Sequence, residues 1–139
     1  VATTVAEIMA RDPQTISADA TVADAARRMR DSDTGDVLVL DGDTLIGILT
    51  DRDIAVRVVA EGRDPGTSAR EACSDSALVT VTPDTTAERA AQIMRDEAVR
   101  RLPVVEGDRP VGVISLGDLA IELDEDSALA EISAAEGDS

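Results

Sequence analysis

Two segments of the chain share one order of chemistry-bearing residues. They are Gly47-Ile48-Leu49-Thr50-Asp51-Arg52-Asp53-Ile54 and Gly112-Val113-Ile114-Ser115-Leu116-Gly117-Asp118-Leu119. Each runs glycine, two apolar residues, a hydroxyl, two variable positions, aspartate, apolar residue. A hydroxyl at a helix N-cap sits among free backbone N–H groups, which with the helix dipole favour an anion. An aspartate three residues on accepts hydrogen bonds from a vicinal diol, as acidic residues do with ribose in dinucleotide folds. The glycine lets a ligand or another backbone approach closely, and an adenine would lie between apolar side chains. The same Thr-x-x-Asp and Ser-x-x-Asp spacing is also a capping box, in which hydroxyl and carboxylate satisfy each other's backbone N–H groups. The four residues by themselves favour the cap.

The elements that must position these segments follow from an internal repeat at an offset of about 65 residues. Thr15-Ile16-Ser17-Ala18-Asp19-Ala20-Thr21 aligns with Thr80-Val81-Thr82-Pro83-Asp84-Thr85-Thr86, and Met29-Arg30-Asp31 with Met94-Arg95-Asp96. Gly42, Gly47 and Asp53 fall on Gly107, Gly112 and Asp118, while before Thr15 the register slips by one, pairing Glu7 with Glu71. Each copy predicts a short strand (Thr15 to Ser17; Thr80 to Thr82), then a helix with apolar stripe Val22, Ala25, Ala26, Met29 or Ala87, Ala90, Ala91, Met94. Two apolar runs around a glycine-containing connection predict a β-hairpin, and a second helix follows from near Asp51 and Leu116. The order is β-α-β-β-α, twice. A copy of roughly 60 residues is too small to bury its sheet face alone. The expected fold is therefore α+β, two pseudo-symmetric repeats packed sheet to sheet. The boundaries read as 5–62, a Gly/Pro-punctuated linker 63–68, 69–123, and an acidic segment 124–139.

Composition removes several functions. The chain of 139 residues has no Phe, Tyr or Trp, so it offers no aromatic platform for single-stranded nucleic acid and no cage for a quaternary ammonium. A net charge of −16 repels nucleic-acid phosphates over most of the surface. All 13 basic residues are Arg, so a phosphate contact must use Arg or backbone N–H groups. With no His and only Cys73, a soft-ligand zinc site and an intrachain disulfide lack partners, and Cys73 reads as a small buried hydrophobe. Neither a G-x-S-x-G elbow, a Walker A loop nor a G-x-G-x-x-G fingerprint is present. No apolar run approaches the ~20 residues of a membrane span. A non-catalytic cytoplasmic protein is expected.

Together the doubled motif and the β-α-β-β-α repeat resemble cystathionine-β-synthase-type (CBS) domains arranged as a tandem pair, over Val5 to about Leu123. The resemblance implies a Bateman-type regulatory module, like small stand-alone bacterial ones, that requires no cofactor. Its expected regulatory ligand is an adenine nucleotide, and pairs of this kind commonly form flat homodimers that signal to a protein partner. The implied binding set in the second copy is Thr80, Val81, Arg100, Arg101, Leu102, Pro103, Ser115 and Asp118. In the first it is Thr15, Ile16, Leu38, Thr50 and Asp53. Arg100-Arg101 resembles the basic step that reaches a phosphate, whereas the first copy has Gly35-Asp36 there, a carboxylate that repels one. A phosphorylated ligand is thus expected at the second site. The alternative is an interaction scaffold that binds no nucleotide and keeps the motifs only as helix caps.

Overall fold

In a computed structural model the chain is described over residues 2–73 and 78–123, so the acidic segment 124–139 lies outside the described residues. The elements are α1 (Val5–Ile8), β1 (Ala10–Arg11), β2 (Thr15–Ser17), α2 (Val22–Ser32), β3 (Asp36–Asp41) and β4 (Thr44–Thr50). Next come α3 (Asp51–Asp53), running on as a π-helix over Ile54–Val59, then α4 (Ala69–Ala72), α5 (Ala87–Glu97), β5 (Arg101–Glu106) and β6 (Arg109–Ser115). Residues 116–123 form a last helix, α6.

Local chemistry starts and stops the two long helices at matching places. Thr21 Oγ1 accepts from Asp24 N at 3.1 Å, and Thr86 Oγ1 from Arg89 N at 3.1 Å, each satisfying an N-terminal donor. Both helices end in a left-handed residue, Asp33 (φ 54°) and Ala98 (φ 55°), whose N–H turns back to carbonyls of the last turn. The buried line is Val22, Ala25 and Met29 in α2, and Ala87, Ala90 and Met94 in α5. Ala26, expected in the stripe, is exposed, and Ala91 is half-buried. A three-stranded sheet offers each helix only a narrow seam, and the i+4 position lies at its edge.

The strands form two three-stranded sheets, β2-β3-β4 and β1-β6-β5, and β4 approaches β6 between them. The two hairpins are copies down to detail. Each carries a bulge, between Val39 and Leu40 and between Val104 and Val105, and turns on a glycine of positive φ, Gly42 and Gly107. One expected strand differs. Thr80 to Thr82 reduces to a single parallel bridge, Val81 to Val104. In the first copy Leu38 N donates to Gln14 O and Ala18 N donates to Leu40 O, both at 2.8 Å. The equivalent residues in the second copy are Pro103 and Pro83, which have no N–H to donate. Only the two inner bonds remain, Val81 N to Pro103 O and Val105 N to Val81 O.

The copies also exchange their leading segments. Strand β1 pairs with β6 of the second copy, with Ala10 opposite Val113 and Arg11 opposite Gly112, and Val5 N donates to Thr85 O at 2.7 Å. Reciprocally α4 lies on the first copy, where Ala69 N donates to Ala20 O at 2.7 Å. The cores follow this exchange. Ile16, Val22, Val37, Val39, Leu49 and Val58 of the first copy enclose Ala69, Ala72 and Cys73, while Val81, Leu102, Val104, Ile114 and Leu119 enclose Val5 and Met9. Cys73 is buried beside Ala72, as a small hydrophobe would be. Leu38, on the opposite face of β3 from Val37 and Val39, is also fully buried, so both faces of that strand are covered. A leucine so placed contributes about 2 kcal/mol by area alone.

Candidate functional site

Each motif bridges a strand end and a helix start, and both make complete capping boxes. Thr50 Oγ1 accepts from Asp53 N at 3.0 Å, and Asp53 Oδ2 accepts from Thr50 N at 2.9 Å. Ser115 and Asp118 repeat the arrangement, with both bonds at 3.0 Å. Capping uses Oδ2 of each carboxylate and leaves Oδ1 over. In Asp53 that oxygen lies 3.7 Å from Arg57 Nε; in Asp118 it has no partner among the described residues. A cap and a diol contact are therefore compatible in one carboxylate, since the two uses take different oxygens.

A cleft of about 600 Å³ opens between the copies, within the range of small-ligand sites. Its first wall is the first motif: Gly47, Ile48, Thr50, Asp51, Arg52 and Asp53. The facing wall comes from the second copy, with Val79, Ala98, Val99, Arg100, Arg101 and Pro103. Of the expected site residues the structure thus assembles Thr50, Asp53, Arg100, Arg101 and Pro103 in one place. Ser115 and Asp118 are not in that lining, although Arg101 is the strand partner of Ser115 through the main chain. The Arg100-Arg101 step meets the hydroxyl–aspartate pair of the other copy, where its own had been expected. The remaining expected residues lie elsewhere. Ile16, Leu38, Val81 and Leu102 are buried, three of them in the two cores, and Thr80 is half-buried beside the bridge. Thr15 and Ile16 border a separate hollow on the open side of β2.

Asp36, expected to repel phosphate, is committed to Arg101. Arg101 Nε lies 2.7 Å from Asp36 Oδ2, with the side chains 32% and 17% exposed. Burial raises the Asp36 pKa; Arg101 opposes that, and Asp51 and Asp118 reinforce it, so the net shift is upward. Arg100 remains exposed at the cleft. Among the described residues no group of three His, Cys, Asp or Glu could hold a metal ion, and no helix is long and apolar enough to cross a membrane.

The sequence pattern of the CBS domain family matches twice in tandem, over residues 5–60 and 64–125. The chain belongs to the CBS domain family. The CBS domain-containing protein YhcV of Bacillus subtilis is 39% identical over 117 residues, covering 84% of this chain and 83% of that protein. Hypoxic response protein 1 of Mycobacterium tuberculosis is 32% identical over 124 residues, covering 88% and 87%. The hexameric CBS-CP12 protein from bloom-forming cyanobacteria superposes with a TM-score of 0.77 at 30% identity, covering 99% of this chain and 91% of that one. The two CBS repeats are the two copies of the internal repeat, and their sheets and caps form the pair architecture expected from it.

Reasoning from the sequence missed Leu78, Val79, Ala98 and Val99 as cleft residues, and it missed the Asp36–Arg101 pair. One signal for the pair was present. Positions 36 and 101 are equivalents in the repeat, carry opposite charges, and a pseudo-twofold brings equivalents near its axis face to face.

Proposed function

We propose that this CBS pair is a non-catalytic regulatory module that binds an adenine nucleotide of the AMP, ADP or ATP class in the cleft between its repeats. The observation that carries the reading is the meeting of Thr50 and Asp53 with Arg100 and Arg101 across one cleft. Asp53 holds the ribose diol, and the two guanidinium groups take the phosphate. Ile48, Val79 and Val99 sandwich the base. Because the ligand touches both repeats, binding favours one arrangement of the pair over others, and that shift is the signal to a protein partner. The reading places the chain in the cytoplasm.

Exposed apolar side chains on the helices following each motif support a homodimer: Val56 (47%), Val59 (68%), Leu116 (46%) and Ile121 (63%). The hexameric CBS-CP12 neighbour is consistent with assembly by this architecture. Calorimetry with AMP, ADP, ATP and adenosine tests the sensor reading. Saturable binding of at least one nucleotide is expected; absence of both heat and thermal shift at millimolar ligand sinks it. The completeness of both capping boxes favours a second reading, an interaction scaffold without nucleotide. That reading gains if every nucleotide fails while the protein still associates.

A further inference from the structure

Asp36 and Arg101 are equivalent residues of the two CBS repeats, and they hold each other across the boundary between them. Arg101 also borders the cleft beside Thr50 and Asp53, whereas Asp36 lies outside that lining. The guanidinium is thus placed between a carboxylate that already has it and a cleft that would use it. We propose that Asp36 is an internal competitor for Arg101, and so the residue that sets how strongly the cleft takes a phosphorylated ligand. The proposal rests on the nucleotide reading above and adds the control of its phosphate contact.

The surroundings of Arg101 leave it two directions. A Cβ built on Gly35 would stand 3.3 Å from Arg101 Nη2 and 3.1 Å from Asp51 Oδ2, so the guanidinium and the Asp51 carboxylate both come down onto that glycine. Arg101 therefore leans on the first repeat at Gly35 and Asp36, with Asp51 at the rim of the cleft beside it. A phosphate in the cleft draws the guanidinium toward the Asp51 side and away from Asp36. Each partner is a charge-assisted acceptor of similar strength, so the ligand gains only the difference between them.

The charges around Asp36 add a proton to this exchange. Among the described residues those acting on it are Arg101 from β5, Asp51 from the start of α3 and Asp118 from α6. Losing Arg101 leaves a half-buried carboxylate with two like charges and no counter-charge, which favours its protonated form. Its pKa already stands above the ordinary carboxylate value with Arg101 in place. Ligand and proton then bind together, and affinity for a phosphorylated ligand rises as pH falls. Adenosine, which has no phosphate, does not disturb the pair.

The test is calorimetry of the full chain with AMP and with adenosine as the uncharged control. Asp36→Asn frees Arg101 and is expected to tighten AMP binding by about tenfold, the size of one charge-assisted bond no longer contested. Adenosine affinity should not change, and the gain should vanish in Asp36→Asn combined with Arg101→Met. A second measurement stands beside affinity: in two buffers of different ionisation enthalpy, AMP should take up more proton with the unaltered protein than with Asp36→Asn, a comparison that cancels the proton of the phosphate itself. AMP affinity unchanged or weakened by Asp36→Asn overturns the proposal, as does an equal gain for adenosine, or the same proton uptake on AMP binding with and without Asp36. Those results leave the nucleotide reading standing. Failure of the unaltered protein to bind any of AMP, ADP, ATP and adenosine overturns both.

Discussion

At the scale of single residues, the two oxygens of one carboxylate can do separate work. Asp53 Oδ2 closes a cap on Thr50, while among the described residues Oδ1 is held only by a 3.7 Å approach to Arg57. Asp53→Asn keeps the side-chain size and a carbonyl acceptor for the cap but removes the charge that a diol binds. It should weaken AMP and adenosine alike, by about tenfold, with a shift in melting temperature of only a few degrees. An unchanged affinity for both ligands shows that the residue only caps. Asp36 makes a second prediction at this scale. Its carboxyl should titrate above the ordinary range in a carbon NMR titration, and Arg101→Ala should move it higher, because Arg101 is the one group pulling it down. Since the folded-state value is raised, the folded protein binds the proton more tightly than the unfolded chain does. This group's contribution to stability therefore falls as pH rises from the ordinary carboxylate range through the raised value. The motif residues were legible in the sequence as a cap or a ribose contact. Which oxygen does which depended on coordinates, because spacing along the chain carries no information about the side of a carboxylate.

Elements carry the next set of consequences. Both long helices stop on a left-handed residue, an aspartate in one copy and an alanine in the other. Asn and Asp tolerate that conformation, whereas alanine pays a steric cost against its own carbonyl. Ala98→Gly removes that cost and should stabilise the fold by about 0.5–1 kcal/mol, read as a higher denaturant midpoint. A lower midpoint means that the methyl group at the cleft contributes more than the strain it carries. The helices, the hairpins and their glycine turns were legible because each depends on residues within a few positions. The strand expected at Thr80 to Thr82 was read from its likeness to Thr15 to Ser17. Pro83 and Pro103 cancel it, and Pro103 acts from a strand twenty residues further on. The π-helix over Ile54–Val59 has no sequence signal that we recognise, and α6, its counterpart, is an ordinary helix.

The whole molecule is held together by the crossing of its leading segments. A Cβ on Gly112 would meet Met9 Sδ at 2.6 Å and the backbone oxygen of Ala10 at 2.8 Å. The thioether could swing away, but the carbonyl belongs to β1 and cannot move without breaking the pairing of Ala10 with Val113. Gly112→Ala should therefore destabilise the protein by about 1–3 kcal/mol, lowering the melting temperature by several degrees. A neutral result means that β1 is not seated on β6. This glycine admits a backbone, one of its two expected roles, while Gly47 borders the cleft. Assembly belongs to the same scale. Val59→Arg with Ile121→Arg places charges on the exposed apolar faces, and light scattering should show the particle mass fall to that of one chain. If the mass is unaltered, those faces are not the contact.

The sequence by itself determined that the chain is a tandem CBS pair built on an internal repeat, that helices follow the hydroxyls Thr50 and Ser115 of its two motifs, and that its cores are aliphatic. Repetition, spacing and composition are properties of the chain, and they survive without coordinates. Only the tertiary structure decided which motif faces which basic step. The doubled hydroxyl–aspartate segment had been matched with the arginines of its own repeat, at Ser115 and Asp118. Across the boundary the arginines instead meet Thr50 and Asp53, and one of them is already held by Asp36. A repeat describes two identical surfaces, and how those surfaces meet is set by the packing of one on the other.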